Sequence, residues 1–123
     1  MMAKFASDFV LDGSLQLVAQ ATRMVALAGQ PASYVAADAG ALAEAALTGS
    51  DFTLADGAVS GRRVVVAAKL GLPVLAAGTA DHVALLDGVN SRLLYVTTCP
   101  AQVLPVGGTV NIASWDVEIG DPV

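Results

Sequence analysis

Turn dipeptides punctuate this chain at short intervals, and that spacing limits the fold more than any other feature. Asp12-Gly13, Asp56-Gly57 and Asp87-Gly88 are strong turn signals, and Ser60-Gly61 and Gly107-Gly108 add two more. Between them lie apolar runs too short for ordinary helices. Short strands every ~8–12 residues with turn residues between them are the pattern of an antiparallel sandwich or barrel. No alternation of strand and long helix appears, so a doubly wound parallel sheet is not expected. The flanks of the three Asp-Gly turns do not match one another, so they are not a repeat.

The elements read as follows. Residues 9–11 precede the turn at Asp12-Gly13. Leu15, Leu17 and Ala19 then alternate with Ser14, Gln16 and Val18, which suits a half-buried strand. Residues 23–27 form a second strand, ended by Gly29, Gln30 and Pro31. The one helical segment is residues 36–47, rich in Ala and Leu, with Ser33 or Asp38 as its cap and Gly49 after its end. Residues 62–69 contain Val64, Val65 and Val66, a β-branched run that fits a strand buried on both faces. Residues 74–77 resume a strand after Gly71 and Pro73. Residues 82–86 and 92–98 form a hairpin across the loop 87–91, and Pro100 stops it. Residues 103–106 are a short strand. Residues 109–119 alternate throughout, with Asn111, Ala113, Trp115, Val117 and Ile119 on one face. The expected core is Val64, Val66, Val83, Leu85, Leu94, Val96, Trp115 and Val117. The fold expected is mainly β, an antiparallel sandwich or barrel-like domain with one short helix.

Size and charge narrow the function classes. A chain of 123 residues fits one domain over residues 1–123. It can bury enough surface to fold without a metal or disulfide, and one cysteine allows no internal disulfide. Six basic residues against eleven acidic ones, with no basic cluster, argue against nucleic acid as a partner. A membrane span needs about 20 apolar residues, and the best run, residues 64–77, is broken by Lys69, Gly71 and Pro73. Asp8 precedes any apolar stretch, so no secretory signal is expected and synthesis in a cytoplasm is. With 55% hydrophobic and 14% charged residues, two readings of the apolar excess stand side by side: part of it lies on the surface, where it marks contact with another protein, or it reflects an Ala-rich bias of a GC-rich genome.

Candidate chemistry is sparse. His82 with Asp81 or Asp87 and a serine is the material of a triad, but no Gly-x-Ser-x-Gly elbow accompanies it. His82 reads better as a packed or edge residue beside Ala84 and Leu86. Cys99 needs a base and an electropositive setting to act as a nucleophile, and reads better as filler of a small apolar volume. One His and one Cys cannot make a zinc site. Asp116 and Glu118 share a strand face and, with Asp121 nearby, are the only pair placed for a hard cation. No phosphate loop is present. No catalytic residue, metal or cofactor is therefore expected. Arg62 and Arg63 open a strand with guanidinium groups on opposite faces, which makes them candidate interface residues. The two chain termini are candidate contacts as well.

A pattern in the C-terminal half goes further. Residues 60–68, Ser-Gly-Arg-Arg-Val-Val-Val-Ala-Ala, are followed by residues 78–88, Gly-Thr-Ala-Asp-His-Val-Ala-Leu-Leu-Asp-Gly. Then come Ser-Arg-Leu-Leu at 91–94 and the ending Val-Asn-Ile-Ala-Ser-Trp-Asp-Val-Glu-Ile-Gly-Asp-Pro at 110–122. This resembles a group of small proteins encoded among the virion structural genes of tailed bacteriophages, over residues 55–123. The resemblance implies a non-enzymatic virion protein: a capsid cement or decoration subunit bound to the major capsid protein, or else a tail, neck or fibre component. It implies a location in the virion and a homo-oligomer, a trimer or dimer. It carries no catalytic residues.

Overall fold

The computed structural model describes residues 6–120. The chain begins with helix α1 (Asp8–Val18) and strand β1 (Arg23–Leu27). Helix α2 (Tyr34–Gly40) and strand β2 (Ala43–Ala46) follow. After one 3-10 turn come β3 (Phe52–Asp56), β4 (Arg62–Val66), β5 (Lys69–Pro73) and β6 (Gly78–Asp87). The chain continues through β7 (Arg92–Leu104), β8 (Thr109–Ile112) and β9 (Trp115–Ile119). The strands form three sheets, ordered β2-β1-β6-β7, β3-β4-β9 and β5-β8, and every pairing is antiparallel. The mainly β, antiparallel expectation holds. Among the described residues no barrel closes, and two α-helices stand where one was expected.

The inner face of the four-stranded sheet packs on the other two sheets through Met24, Val83, Leu85, Val66, Leu104 and Val110. Its outer face is covered by α2, with Ala37 on Val25, Leu27, Ala84 and Leu86. Helix α1 packs on the three-stranded sheet, seating Leu15 on Val64 and Val117. Of the expected core, Val64, Val66, Val83, Leu85 and Val117 are buried, whereas Leu94, Val96 and Trp115 are half-buried at its margins.

Helix α1 corrects the expected strand at residues 15–19 and the turn at Asp12-Gly13. Ser7 caps it, its Oγ accepting from Val10 N, and Asp8 sits favourably in the first turn. Leu11 and Leu15, one turn apart, supply the buried face. The apolar alternation at 15, 17 and 19 fits a strand equally well; packing on β4 and β9 selects the helical period. Gly13 costs about 1 kcal/mol relative to Ala inside a helix, and the cap and the buried leucines offset it.

The helix expected at residues 36–47 is cut short. Ser33 caps α2 by accepting from Ala36 N, as anticipated, but the helix ends at Gly40. The rest of the alanine-rich run becomes β2, paired to β1 with Ala26 opposite Ala43. Ala43 and Ala45 are small enough to lie against the inner core, and this pairing outweighs their helical preference.

Further along, β4 has one buried face, not two: Val64 and Val66 are fully buried and Val65 only partly. It ends at Val66, so residues 67–69 are not part of it. The strand expected at 74–77 lies instead at β5, which includes Gly71 and Pro73; only Val74 adds a bridge, to Ala43. Gly71 takes φ +66° at the irregularity that makes this possible. Pro100 does not stop β7. The register jumps from Ala80–Gln102 to His82–Thr98, and Pro100 sits in that bulge on an edge strand, so residues 103–104 continue β7. The long strand expected at 109–119 breaks at Ala113-Ser114 as the chain passes from one sheet to another. The alternation changes phase there: Val110 and Ile112 turn inward before the break, Trp115 and Val117 after it. Ser114 Oγ bridges the gap by donating to Val66 O at 2.9 Å.

Candidate functional site

The two arginines named from sequence do lie on opposite faces of β4. Arg62 points toward α1, donating from Nε to Asp12 at 2.8 Å and from Nη1 to Asp56 at 2.7 Å. Hydrogen bonds to these two carboxylates raise its pKa above the ordinary value. Arg63 lies on the outer face and reaches Asp116 across the β4–β9 pair at 3.2 Å. Both arginines are thus ion-paired within the chain, although Arg63 Nε is buried without a hydrogen-bond partner among the described residues. Arg23 clasps Asp38 of α2 and Glu44 of β2, and Lys69 pairs with Asp51 at 2.9 Å. Sequence spacing could not reveal these pairs, because each joins different elements.

His82 is held by Asp81, Nδ1 to Oδ1 at 2.7 Å. Asp81 also accepts from Gly29 N at 2.8 Å, tying the loop after β1 to β6. The Gly29 bond first, and then the imidazole, draw the Asp81 carboxyl below the ordinary carboxylate range. Among the described residues the imidazole bonds to no serine, threonine or cysteine. The neighbouring Cys99 is half-buried, and burial, then the Asp81 charge, push its thiol up. That shift opposes thiolate formation, so the three residues are not arranged as an activated nucleophile.

The acidic pair is likewise committed. Asp116 belongs to the Arg63 ion pair, and Glu118 accepts from Ala58 N in the β3–β4 turn. Asp121 and the two termini lie outside the described residues. Among the described residues no three His, Cys, Asp or Glu side chains stand close enough to share a metal ion.

A groove of about 560 Å³ opens between β6–β7 and β8–β9. Ala80, Val83, Ile112 and Trp115 form its apolar floor, and Cys99 and Gln102 lie at its side. Its polar groups include Asn111, which accepts from Gly71 N, and Ser114, which donates to Val66 O. These side chains hold the fold rather than converge on a ligand.

The exposed apolar side chains stand out more. Phe9, Val10 and Leu17 line the outer surface of α1, and Phe9 is 87% exposed. Val59, at 99%, crowns the β3–β4 turn, and Val89 and Val106 stand on the turns after β6 and β7. Leu70, Leu75 and Val103 add to them. The apolar surface expected from composition is therefore present. The part on α1 was not legible while the segment read as a strand.

These features define a β-rich protein with apolar turns and an apolar helix face, whose charged groups are mostly tied up in its own fold. No family model, no curated protein and no solved structure matches the chain.

Proposed function

We propose that the chain is a non-enzymatic structural subunit of a phage virion, a cement protein that binds the assembled coat lattice through apolar side chains on α1 and on its turns. The observation that carries this reading is the spread of exposed Phe9, Val10, Val59, Val89 and Val106 over several surfaces. Separate apolar points suit a subunit that bridges several neighbours, whereas an enzyme gathers polar groups in one pocket. The resemblance of residues 55–123 to phage virion proteins points the same way. Binding the assembled shell and not free coat protein would stabilise the particle by mass action. The partner is then the major capsid protein or another virion protein, and the location is the virion.

The test is copy number in purified particles, by quantitative mass spectrometry scaled to the major coat protein. The expected ratio approaches one per coat subunit, or one per three. A handful of copies would overturn the cement role in favour of a tail, neck or fibre component. Absence from particles would remove the virion role.

A further inference from the structure

The three Asp-Gly dipeptides do not sit in equivalent surroundings. An aspartyl side chain followed by glycine is open to attack by the glycine's own backbone nitrogen, because no side chain shields that nitrogen. The carboxyl must swing onto the nitrogen, and the N–H must leave its hydrogen bond, so local opening of the fold decides where the reaction runs. Asp12 and Gly13 lie inside α1, where backbone N–H groups are bonded along the helix, and Asp12 is held by Arg62 Nε. Asp87 is 2% exposed and accepts from Val89 N, Asn90 N and Asn90 Nδ2, while Gly88 N donates to Thr22 Oγ1 at 2.9 Å. Asp56 is placed differently. Its side chain is 86% exposed and is held through Oδ1 by Arg62 Nη1. It ends the edge strand β3, and the turn after it is exposed from Ala58 to Ser60. Gly57 N donates to Gly61 O at 2.9 Å, a bond that opens with the turn alone. Space fixes the glycine, since a Cβ on Gly57 would collide with Ser60 O and the Glu118 carboxylate.

We propose that Asp56-Gly57 is the site at which the folded chain converts aspartate to isoaspartate. Gly57 N bonds to Asp56 Cγ while the carboxyl, in its acid form, gives up its hydroxyl. That hydroxyl and the proton of the N–H leave as water, and a cyclic imide remains. Water then adds to one of the two imide carbonyls. Addition at Cγ restores aspartate. Addition at the Asp56 main-chain carbonyl breaks its bond to Gly57 N, leaves the chain linked through Cγ and frees an α-carboxylate. The water lost in the first step returns in the second, so composition is unchanged and no oxidant or cofactor enters. The product carries an extra methylene in its backbone. It displaces the last pair of β3 and β4, Asp56 with Arg62, and takes away the side-chain carboxylate that Arg62 Nη1 holds. Asp12 still anchors Arg62 through Nε, so the change is confined to the turn that carries Val59. This chemistry rests on the chain's own geometry and holds whatever the protein attaches to.

The test uses the full chain, aged at near-neutral pH in the folded state and, in parallel, in urea. Isoaspartate is labelled with an isoaspartyl methyltransferase and located by peptide mapping. In the folded chain it should build up at Asp56 at least about tenfold faster than at Asp12 or Asp87, because those two wait for a helix or a buried hairpin end to open. In urea the three sites should convert at similar rates, which assigns the native ranking to the fold. Asp56→Glu keeps a carboxylate beside Arg62 but requires a larger, slower-forming ring, so it should remove the main product. Similar rates at the three sites in the folded chain, faster conversion at Asp12 or Asp87, or a main product that survives Asp56→Glu would each overturn the proposal. So would an equal lead for Asp56 in urea, or its failure to convert in the folded chain while the urea sample reacts.

Discussion

Asp87 closes the β6–β7 hairpin from a position only 2% exposed. Its carboxylate accepts from Val89 N, Asn90 N and Asn90 Nδ2. The Asn90 side chain leads in drawing its pKa below the ordinary value, and desolvation opposes it. A depressed folded pKa stabilises the native state above the unfolded pKa of about 3.9, and the gain fades as pH falls through the folded value. Asp87→Asn should therefore lower the urea midpoint at pH 7, and its gap to the wild type should close as pH drops below about 4. Cys99 titrates in the other direction. Its alkylation by iodoacetamide should be slower than that of a free thiol at neutral pH, and its rate profile should be displaced to higher pH. Gly61 is limited by space and conformation. It takes φ +72°, and a Cβ there would lie 1.9 Å from Ile119 O. Gly61→Ala should cost more than ~1 kcal/mol in denaturant unfolding, because the backbone must shift as well as strain.

Helix α1 depends on one contact more than on its own propensity. Leu15 is fully buried against Val64 and Val117, so Leu15→Ala should cost ~2–5 kcal/mol by urea unfolding. Ser7→Ala, which removes only the cap, should cost ~0.5–2 kcal/mol. The reverse order would mean that α1 is held by its terminus and not by its face. The same element shows what local pattern leaves open. Alternating leucines at 15 and 17 fit a strand, and an alanine run at 36–47 fits a helix. Each reading differs from its rival by tenths of a kcal/mol per residue. Burial of one leucine, or pairing of four alanine-rich residues onto β1, outweighs that difference. The hairpin of β6 and β7 was legible because its turn, Asp87-Gly88, and both strands are adjacent in sequence. The break between β8 and β9 was not, since it depends on two different partner strands.

Across the whole molecule, the inner core and the α1 cluster share Val18, Phe52, Tyr95 and Trp115. Tyr95 and Trp115 stack at 6.1 Å between centroids, and Trp115 Nε1 donates to Met24 Sδ at 3.4 Å. Neither cluster can loosen without disturbing that set. Trp115 fluorescence and far-ultraviolet circular dichroism should therefore follow one coincident urea transition. Two separated transitions would show that α1 and its cluster unfold independently.

The sequence by itself determined that the chain is built largely of antiparallel strands, placed most hairpin turns, picked five fully or nearly buried core residues, and pointed to apolar side chains at the surface. These follow from turn chemistry and two-residue periodicity, which act over a few adjacent residues. Only the tertiary structure decided that residues 8–18 are helical, that the alanine run divides between helix and strand, and that the last alternating stretch changes sheets. It also decided that Arg62 pairs with Asp12 and Asp56, and Arg63 with Asp116. Each of those outcomes depends on residues brought together from distant parts of the chain, and no local pattern encodes which distant partner a side chain will meet.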